Sequence, residues 1–221
     1  IDELVEVDYS LTSLPAVFPS FLDLDLKGIV YPTGNYSGPP YVAAPFTVPD
    51  QSNSMLSLAF SEAFFQTSSF AYYTAGAFNI TIAEETCSYF NISTEIFSSI
   101  IPEVAEYSVT PNPVLLKLMA TEMPLISLEQ DSFTVLLQGS MEVFAVLPDS
   151  STQSLFTMNI AANTSIAPNI FDQKLMGSLC LNRLQFSLAH SNVGFFEISL
   201  LENILSYILQ TEVIPSANGK V

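Results

Sequence analysis

The stretch that decides the fold runs from residue 133 to residue 147 and reads FTVLLQGSMEVFAVL. Every second position in it is apolar or glycine, and the intervening positions include Thr134, Gln138, Ser140 and Glu142. A period of two over fifteen residues is typical of a β-strand with one buried face and one wet face. The apolar phase comprises Phe133, Val135, Leu137, Gly139, Met141, Val143, Ala145 and Leu147. We therefore predict a long strand over 132–147.

Two further runs continue this pattern and predict strands over 153–167 and 174–190. Their apolar positions are Phe156, Met158, Ile160, Ala162 and Ile166 in the first run, and Leu175, Leu179, Leu181, Leu184, Phe186 and Leu188 in the second. The second run changes phase at Asn182–Arg183, as a β-bulge would cause. At about 3.3 Å per residue these strands are roughly 50 Å long. This length favours a long, twisted antiparallel sheet over an immunoglobulin-like sandwich.

Helices are predicted on both sides of these strands in the sequence. Ser61 is a suitable N-cap and Gly76 a suitable residue just past the end, which predicts a helix over 61–75. Ser199 and Glu202 have the spacing of a capping box, which predicts a helix over 199–213. The apolar stripes comprise Phe60, Phe64, Phe65, Ala71 and Tyr72 on the first helix, and Leu200, Leu201, Ile204, Leu205, Ile208 and Leu209 on the second. Together with two helical turns around Pro102, these elements predict the α+β class.

The first fifty residues differ in composition from the rest. Residues 1–30 read as short strands, with Leu22, Leu24 and Leu26 alternating with charged residues, which predicts one buried face. Residues 31–50 hold five prolines and two glycines, which predicts an extended linker. The main domain is therefore expected over 51–221.

Charge and composition exclude several classes of protein. The chain has 221 residues, of which 22 are acidic and 5 basic, so its formal net charge is −17. The five basic side chains are scattered singly along the sequence, so they form no cluster that could neutralise the phosphates of a nucleic acid. This excludes a nucleic-acid-binding protein. Hydrophobic residues make up 49 %, which excludes a disordered chain. This apolar content, with a mean hydropathy of +0.40, suggests an internal apolar cavity.

The residue inventory also argues against an enzyme. His190 is the single histidine and no cysteine cluster accompanies it, so no metal site is expected. None of the eight glycines falls in a phosphate-binding or nucleophile-elbow spacing, so no cofactor is expected. Carboxylates are plentiful, but a catalytic pair cannot be recognised without a motif. We expect His190 to be structural, in the turn that ends its strand.

Four N-x-S/T sequons, at Asn35, Asn79, Asn91 and Asn163, favour a secreted glycoprotein. No charged-then-apolar leader is present, so a signal peptide would already be removed or lie outside this sequence. Three uncharged stretches exceed twenty residues, but their prolines, amides and hydroxyls argue against transmembrane helices. Cys87 and Cys180 are expected to stay unpaired, since Cys180 lies on the outward phase of its strand and Cys87 in a loop-like stretch.

Several strings in the sequence carry a family resemblance. They are Ser61–Thr67 with Tyr72–Gly76, Val143–Pro148, Leu179–Leu184, His190–Gly194 and Leu201–Leu209. In these strings the chain resembles the C-terminal half of the bactericidal/permeability-increasing protein (BPI) and lipopolysaccharide-binding protein (LBP) family, which includes the cholesteryl ester and phospholipid transfer proteins. Residues Leu22–Tyr31, Ser52–Leu56 and Met119–Glu122 look most like family C of the BPI fold-containing proteins, also called BPI-like 2.

The resemblance implies a half-barrel, in which a twisted antiparallel sheet wraps around helices and holds a phospholipid in an apolar pocket. Residues 1–30 would be the end of the N-terminal half and strands of a central sheet, and 31–50 the linker between the halves. The implied pocket residues are Phe60, Phe64, Phe65, Ala71, Tyr72, Val135, Leu137, Phe156, Met158, Leu201, Ile204, Leu205 and Ile208. The family's chain continues beyond the last helix, so a C-terminally truncated fold with a partly open pocket is expected.

Two functions follow as expectations. The first is a secreted lipid-binding module for a phospholipid or similar acyl lipid. The second is a non-transporting interaction module or innate-immune scaffold whose own side chains fill the pocket. Binding of lipopolysaccharide by this half alone is not expected, because a net charge of −17 repels a polyanionic head group.

Overall fold

A computed structural model of the chain describes residues 3–36, 41, 44, 46–48, 55–83, 93–99, 101–107, 111–129, 132–171, 174–208, 210–211 and 214–215. Nine of the twenty residues of the predicted linker lie outside these ranges, as do Cys87 and Asn91. The strands are β1 (Val5–Asp8), β2 (Ala16–Val17), β3 (Leu22–Asp23), β4 (Ile29–Pro32), β5 (Asn79–Ile82), β6 (Val114–Ala120), β7 (Leu125–Glu129), β8 (Ser132–Val146), β9 (Thr152–Phe171) and β10 (Lys174–Ser191). The helices are α1 (Glu62–Thr74), α2 (Thr94–Ser98), a 3-10 helix (Pro102–Tyr107) and α3 (Ile198–Ile208).

Contacts divide the chain into two units. The first comprises Ile1–Ala77 with Leu125–Leu128, and the second Phe78–Pro124 with Glu129–Val221. The second unit contains an antiparallel path of strands in the order β10-β9-β8-β6-β5. The three predicted long strands are confirmed, with 15 residues in β8, 20 in β9 and 18 in β10.

The bulges decide which residues of these strands face inward. The register of β10 against β9 shifts between Leu181 and Arg183, which confirms the bulge predicted from the phase change. A second shift, between Val143 and Phe144, places both Leu155 and Phe156 in the core with no exposed surface. The sequence pattern identified Phe156 as inward-facing but not Leu155. A strict period of two assigns consecutive residues to opposite faces, whereas the bulge turns both of these residues inward.

The first unit is built on β1, β4 and α1. Strands β1 and β4 pair antiparallel, and Ala71 of α1 forms a cluster with Val5 and Val30. Both predicted ends of α1 are confirmed. The backbone N–H of Phe64 donates to Ser61 Oγ at 3.2 Å, and Gly76 has the positive φ of 76° that a residue past a helix end adopts.

The buried side of α1 is small and polar rather than aromatic. Its buried residues are Thr67, Ser69 and Ala71, whereas Phe64 and Tyr72 are half-buried. Thr67 Oγ1 accepts a hydrogen bond from the backbone N–H of Val30 at 3.2 Å, which joins the helix directly to β4. Small side chains allow this close approach. The apolar stripe predicted Ala71, against whose cluster Phe64 and Tyr72 pack, but it did not predict Thr67 and Ser69 as buried residues.

Residues 11–26 form a hairpin whose leucines are exposed. Leu11 and Leu26 form a bridge, β2 pairs with β3, and the rings of Phe18 and Phe21 stack with centroids 4.4 Å apart. Leu22, Leu24 and Leu26 expose 49–57 % of their surface. The prediction of a buried leucine face is therefore wrong within the described structure. Alternating leucine and charged residues indicate a strand with two different faces, but burial of the leucine face also requires another element that packs on it.

The start of α3 also differs from the prediction. The helix begins at Ile198, so Ser199 lies inside it and is not its N-cap. Glu202, predicted to close a capping box, accepts a hydrogen bond from the backbone N–H of Phe186 on β10 at 3.4 Å. The carboxylate therefore connects α3 to the sheet. The described part of α3 ends at Ile208, and Gln210 and Thr211 beyond it are π-helical, so the predicted end at 213 stays a prediction.

Gly139 marks a close approach between β8 and β6. A Cβ atom at this position would lie 2.8 Å from the backbone oxygen of Met119. We expect Gly139→Ala to lower the free energy of unfolding by about 1–3 kcal/mol, because the backbone of β6 must move. Gly177→Ala is the comparison variant, since its Cβ would also lie at 2.8 Å but from the Cγ2 methyl of the Ile166 side chain rather than from a backbone atom. Denaturant unfolding measures both; a greater loss for Gly177→Ala would contradict the argument.

An ion pair closes the base of the hairpin in the first unit. Lys27 Nζ lies 2.9 Å from Asp8 Oδ2, and this hydrogen bond, together with the smaller effect of hydrogen bonds from Ser10, lowers the pKa of Asp8 to about 2 from 3.8. Because the folded pKa is depressed, the contribution of Asp8 to stability is present above pH 3.8 and is lost as the pH falls towards 2. We expect Lys27→Gln to return the Asp8 titration midpoint towards 3.8, as measured by carboxyl ¹³C NMR. An unchanged midpoint in that variant would show that Lys27 is not the cause.

Candidate functional site

The inner face of the long strands in the second unit is apolar along its length. Residues in register across the sheet lie on the same face and form rows. One row contains Leu118, Met141, Met158 and Leu188, and the next contains Leu116, Val143 and Phe156. Further rows contain Leu137, Ala162 and Leu184, and then Val135, Thr164 and Leu181. No charged residue occurs in these rows.

One half of this face is covered by a packed core. Phe97 of α2, Ile101, Val104 of the 3-10 helix, Val193, Phe196 and the α3 residues Leu201 and Leu205 all contribute to it. The ring of Phe156 lies 5.9 Å from that of Phe97 and 5.1 Å from that of Phe196, both in edge-on contact. Sequence reasoning missed Phe97, Ile101 and Val104 as core residues, although their spacing of four and then three is the signal of a buried helical face.

The other half of the face, which we call the distal inner face, is less covered. It comprises Val135, Leu137, Ala162, Thr164, Ile166, Leu179, Leu181 and Leu184. Val135 and Thr164 are buried, but the six other residues are half-buried. The hydroxyl of Thr164 donates to the backbone oxygen of Val135 at 3.1 Å, so even the polar side chain on this face has its hydrogen bond satisfied within the sheet. The distal inner face is thus apolar and partly accessible.

The predicted pocket residues fall into separate clusters. Phe156, Met158, Leu201 and Leu205 come together in the core of the second unit. Phe64, Ala71 and Tyr72 belong to the cluster of the first unit. Val135 and Leu137 lie on the distal inner face, and the side chains of Ile204 and Ile208 are outside the description. A pocket between the two helices would use residues of both units, so it stays a prediction.

The aromatic residues near the start of α1 contact one another. The ring of Phe64 lies 5.1 Å from that of Phe60 and 5.3 Å from that of Phe65. Phe60 exposes 42 % of its surface, and Phe64 and Phe65 are half-buried. This group therefore presents an accessible aromatic surface within the first unit.

The polar residues considered for chemistry are dispersed. His190 is exposed within β10, one residue before the strand ends, rather than in the predicted turn, and its ring Nε2 lies 3.0 Å from Asn192 Oδ1. Among the described residues, Cys180 is a free and exposed thiol, and no three His, Cys, Asp or Glu side chains converge as metal ligands. No helix in the described part of the chain is long and apolar enough to cross a membrane.

The architecture defines the class of fold. A solved structure of lipopolysaccharide-binding protein aligns with this chain at a TM-score of 0.60, with 21 % identity, over 99 % of this chain and 48 % of that one. The predicted α+β class, with a long antiparallel sheet of BPI-like fold, is therefore confirmed.

Sequence comparison then gives the family. The family described as "LBP / BPI / CETP family, C-terminal domain" matches residues 1–221, and the chain belongs to it. It is 38 % identical to human BPI fold-containing family C protein over 100 % of this chain and 44 % of the relative. It is 30 % identical to the bactericidal permeability-increasing protein of Sebastes schlegelii over 99 % of this chain and 46 % of the relative. The chain thus spans less than half the length of these relatives, and the predicted resemblance is confirmed.

Proposed function

We propose that this chain is a secreted, non-enzymatic lipid-binding module that holds a phospholipid or similar acyl lipid in an apolar site. The observation that carries the proposal is the distal inner face, where six half-buried residues continue an uncharged surface beyond the packed core. The distal inner face offers no charged side chain, and its one polar side chain is already hydrogen-bonded within the sheet. An acyl chain is therefore the ligand that this surface fits.

The energetics suit a ligand without a salt bridge to its head group. Each methylene that leaves water stabilises the complex by about 0.8 kcal/mol. An acyl chain that covers several residues of the distal inner face would therefore contribute several kcal/mol by burial alone. The site needs length and apolarity, and the long strands β8, β9 and β10 supply both.

The other residues of the predicted pocket are proposed to contact lipid within their own unit. In the first unit these are Phe60, Phe64, Phe65, Ala71 and Tyr72 of the α1 region. In the second unit they are Leu201, Ile204, Leu205 and Ile208 of α3, with Val135, Leu137, Phe156 and Met158 of the sheet. The exposed aromatic surface of Phe60 supports the first part of this proposal, because an exposed large apolar side chain is suited to contact a lipid.

The net charge bears on which lipid is bound. Two relatives are named lipopolysaccharide-binding protein and bactericidal permeability-increasing protein. With a net charge of −17, this chain repels polyanionic head groups at a distance. We therefore favour a zwitterionic phospholipid over lipopolysaccharide as the partner of this half.

The exposed hairpin supports the proposed domain division. Residues 1–30 would join an N-terminal half, residues 31–50 would link the halves, and residues 51–221 would form the C-terminal lipid-binding domain. Leu22, Leu24 and Leu26 expose about half of their surface on the hairpin, and such a row is suited to packing against another sheet.

A scaffold module with a self-filled pocket remains the second candidate. The ring contacts of Phe156 with Phe97 and Phe196 favour it, because they show that the chain's own side chains fill one half of the inner face. This candidate predicts a folded protein that binds no lipid.

Lipid analysis of the purified, secreted protein tests the proposal. We expect native mass spectrometry and organic extraction to find phospholipid bound in a fixed ratio. We further expect the stripped protein to take up palmitoyl-oleoyl phosphatidylcholine from vesicles. A folded protein that carries no lipid and takes none up would overturn the lipid-binding proposal in favour of the scaffold.

A further inference from the structure

The sequon at Asn79 lies on a strand at the edge of the sheet. Strand β5 pairs with β6 on one side, and within the described residues no strand pairs with its other side. Asn79 and Thr81, the two residues that define the sequon, are both exposed, and so is Ile80 between them at 51 %. An edge strand offers unpaired backbone N–H and C=O groups to other chains, and an exposed apolar residue on it increases the risk of aggregation.

The register places Asn79 on the outer, polar face. Asn79 is opposite Met119, which is opposite Ser140, and Ser140 is opposite Asn159. The adjacent row on the same face contains Thr81, Lys117, Glu142 and Thr157. Ile82, by contrast, is on the other face and packs against the core. A bulky group on Asn79 can therefore extend into solvent without displacing any core residue.

The other described sequons lie in different settings. Asn163 is on β9, between β8 and β10, where its Oδ1 accepts a hydrogen bond from Asn182 at 3.2 Å. Asn35 is in the turn after β4, where its backbone N–H donates to the oxygen of Pro32. Asn79 is thus the described sequon that lies on an edge of the long sheet, and it alone among the four has threonine at the third position.

We propose that Asn79 carries an N-linked glycan that shields the free edge of β5 from pairing with other chains. In the reaction, the amide nitrogen of Asn79 bonds to the anomeric carbon of an oligosaccharide carried on a dolichyl diphosphate. The bond from that carbon to the phosphate oxygen breaks, and the amide loses one proton as the diphosphate leaves. The glycan is bulky and hydrated, so it keeps a second strand away from β5. This proposal rests on the proposed secretion of the chain and does not depend on lipid binding.

Peptide mapping of the full chain tests the modification. The chain is secreted from animal cells behind a cleavable heterologous leader, which guarantees exposure to the glycosylation machinery. Peptide N-glycosidase in ¹⁸O water converts a glycosylated asparagine into labelled aspartate. We expect the label at Asn79 in the wild type and in Thr81→Ser, and its loss in Thr81→Ala. A secreted protein without label at Asn79 would overturn the proposal, and lipid content, measured on the same sample, reports separately on the proposed function.

Self-association tests the shielding role. We expect Asn79→Gln and Thr81→Ala to aggregate at least several-fold faster than the wild type on mild heating, as followed by light scattering. Asn159→Gln is the matched control, because Asn159 lies in the same row of the outer face but has no sequon and is flanked by strands on both sides. Equal aggregation rates for Asn79→Gln and Asn159→Gln, with the label present at Asn79 in the wild type, would overturn the shielding role.

Discussion

Replacing Ala162 by tryptophan is expected to remove bound lipid from the protein. Ala162 is half-buried at the centre of the distal inner face, in register with Leu137 on one side and Leu184 on the other. An indole ring there would occupy space that an acyl chain needs. Loss of about three methylene contacts, at about 0.8 kcal/mol each, lowers the affinity roughly fifty-fold. Uptake of phosphatidylcholine from vesicles measures the effect.

The neighbouring residue provides the control for this variant. Ala161 is exposed on the outer face, in register with Gln138 and Gln185. Ala161→Trp adds the same ring to the same strand, so its lipid uptake should match the wild type. The smaller change Ala162→Leu should give an intermediate reduction in lipid uptake. It keeps the test available if the tryptophan variant does not fold. Equal uptake by all three variants would show that lipid does not lie on the distal inner face.

The second large effect is expected from Phe156→Ala. Phe156 has no exposed surface, and its ring contacts those of Phe97 and Phe196 at the centre of the core. Removing a fully buried aromatic ring costs about 3–5 kcal/mol, because the transfer free energy is lost and a cavity remains. Since domains are stable by only about 5–15 kcal/mol, this loss is a large share of the total. Denaturant unfolding of the purified variant measures it.

Phe144→Ala is the matched control for the core variant. Phe144 is on β8, on the opposite face of the sheet, where Lys117 Nζ lies 4.6 Å from its ring centroid. This half-exposed contact should contribute only about 0.5–1 kcal/mol. If Phe144→Ala destabilised the protein as much as Phe156→Ala, the assignment of inner and outer faces would be wrong.

Local geometry explains which parts of the fold were predictable. Side chains alternate strictly along a strand, so the period of two located β8, β9 and β10, and the change of phase located the bulge near Asn182. A helix end needs a polar cap and a residue that tolerates positive φ, so Ser61 and Gly76 located the ends of α1. Each of these features is decided by residues close together in the sequence.

The failed predictions concern contacts between distant elements. Glu202 has capping-box spacing from Ser199, but its carboxylate bonds to the backbone of Phe186 because α3 starts at Ile198 and lies beside β10. The aromatic stripe of α1 suggested a large apolar contact, but the face that packs on β4 contains Thr67 and Ala71. In both cases the neighbouring strand determines which side chain the helix uses.

By itself, the sequence determined the long strands β8, β9 and β10, their inward phase apart from Leu155, and the absence of charge from their inner face. These properties follow from the order of residue types along the chain. Only the tertiary structure decided that α2, the 3-10 helix and α3 cover one half of that face and leave Leu137, Ala162 and Leu184 half-buried. It also decided that the leucines of the hairpin are exposed. The physical reason is that an apolar pattern specifies a surface that favours burial, whereas burial itself requires a second surface brought there by residues far away in the chain.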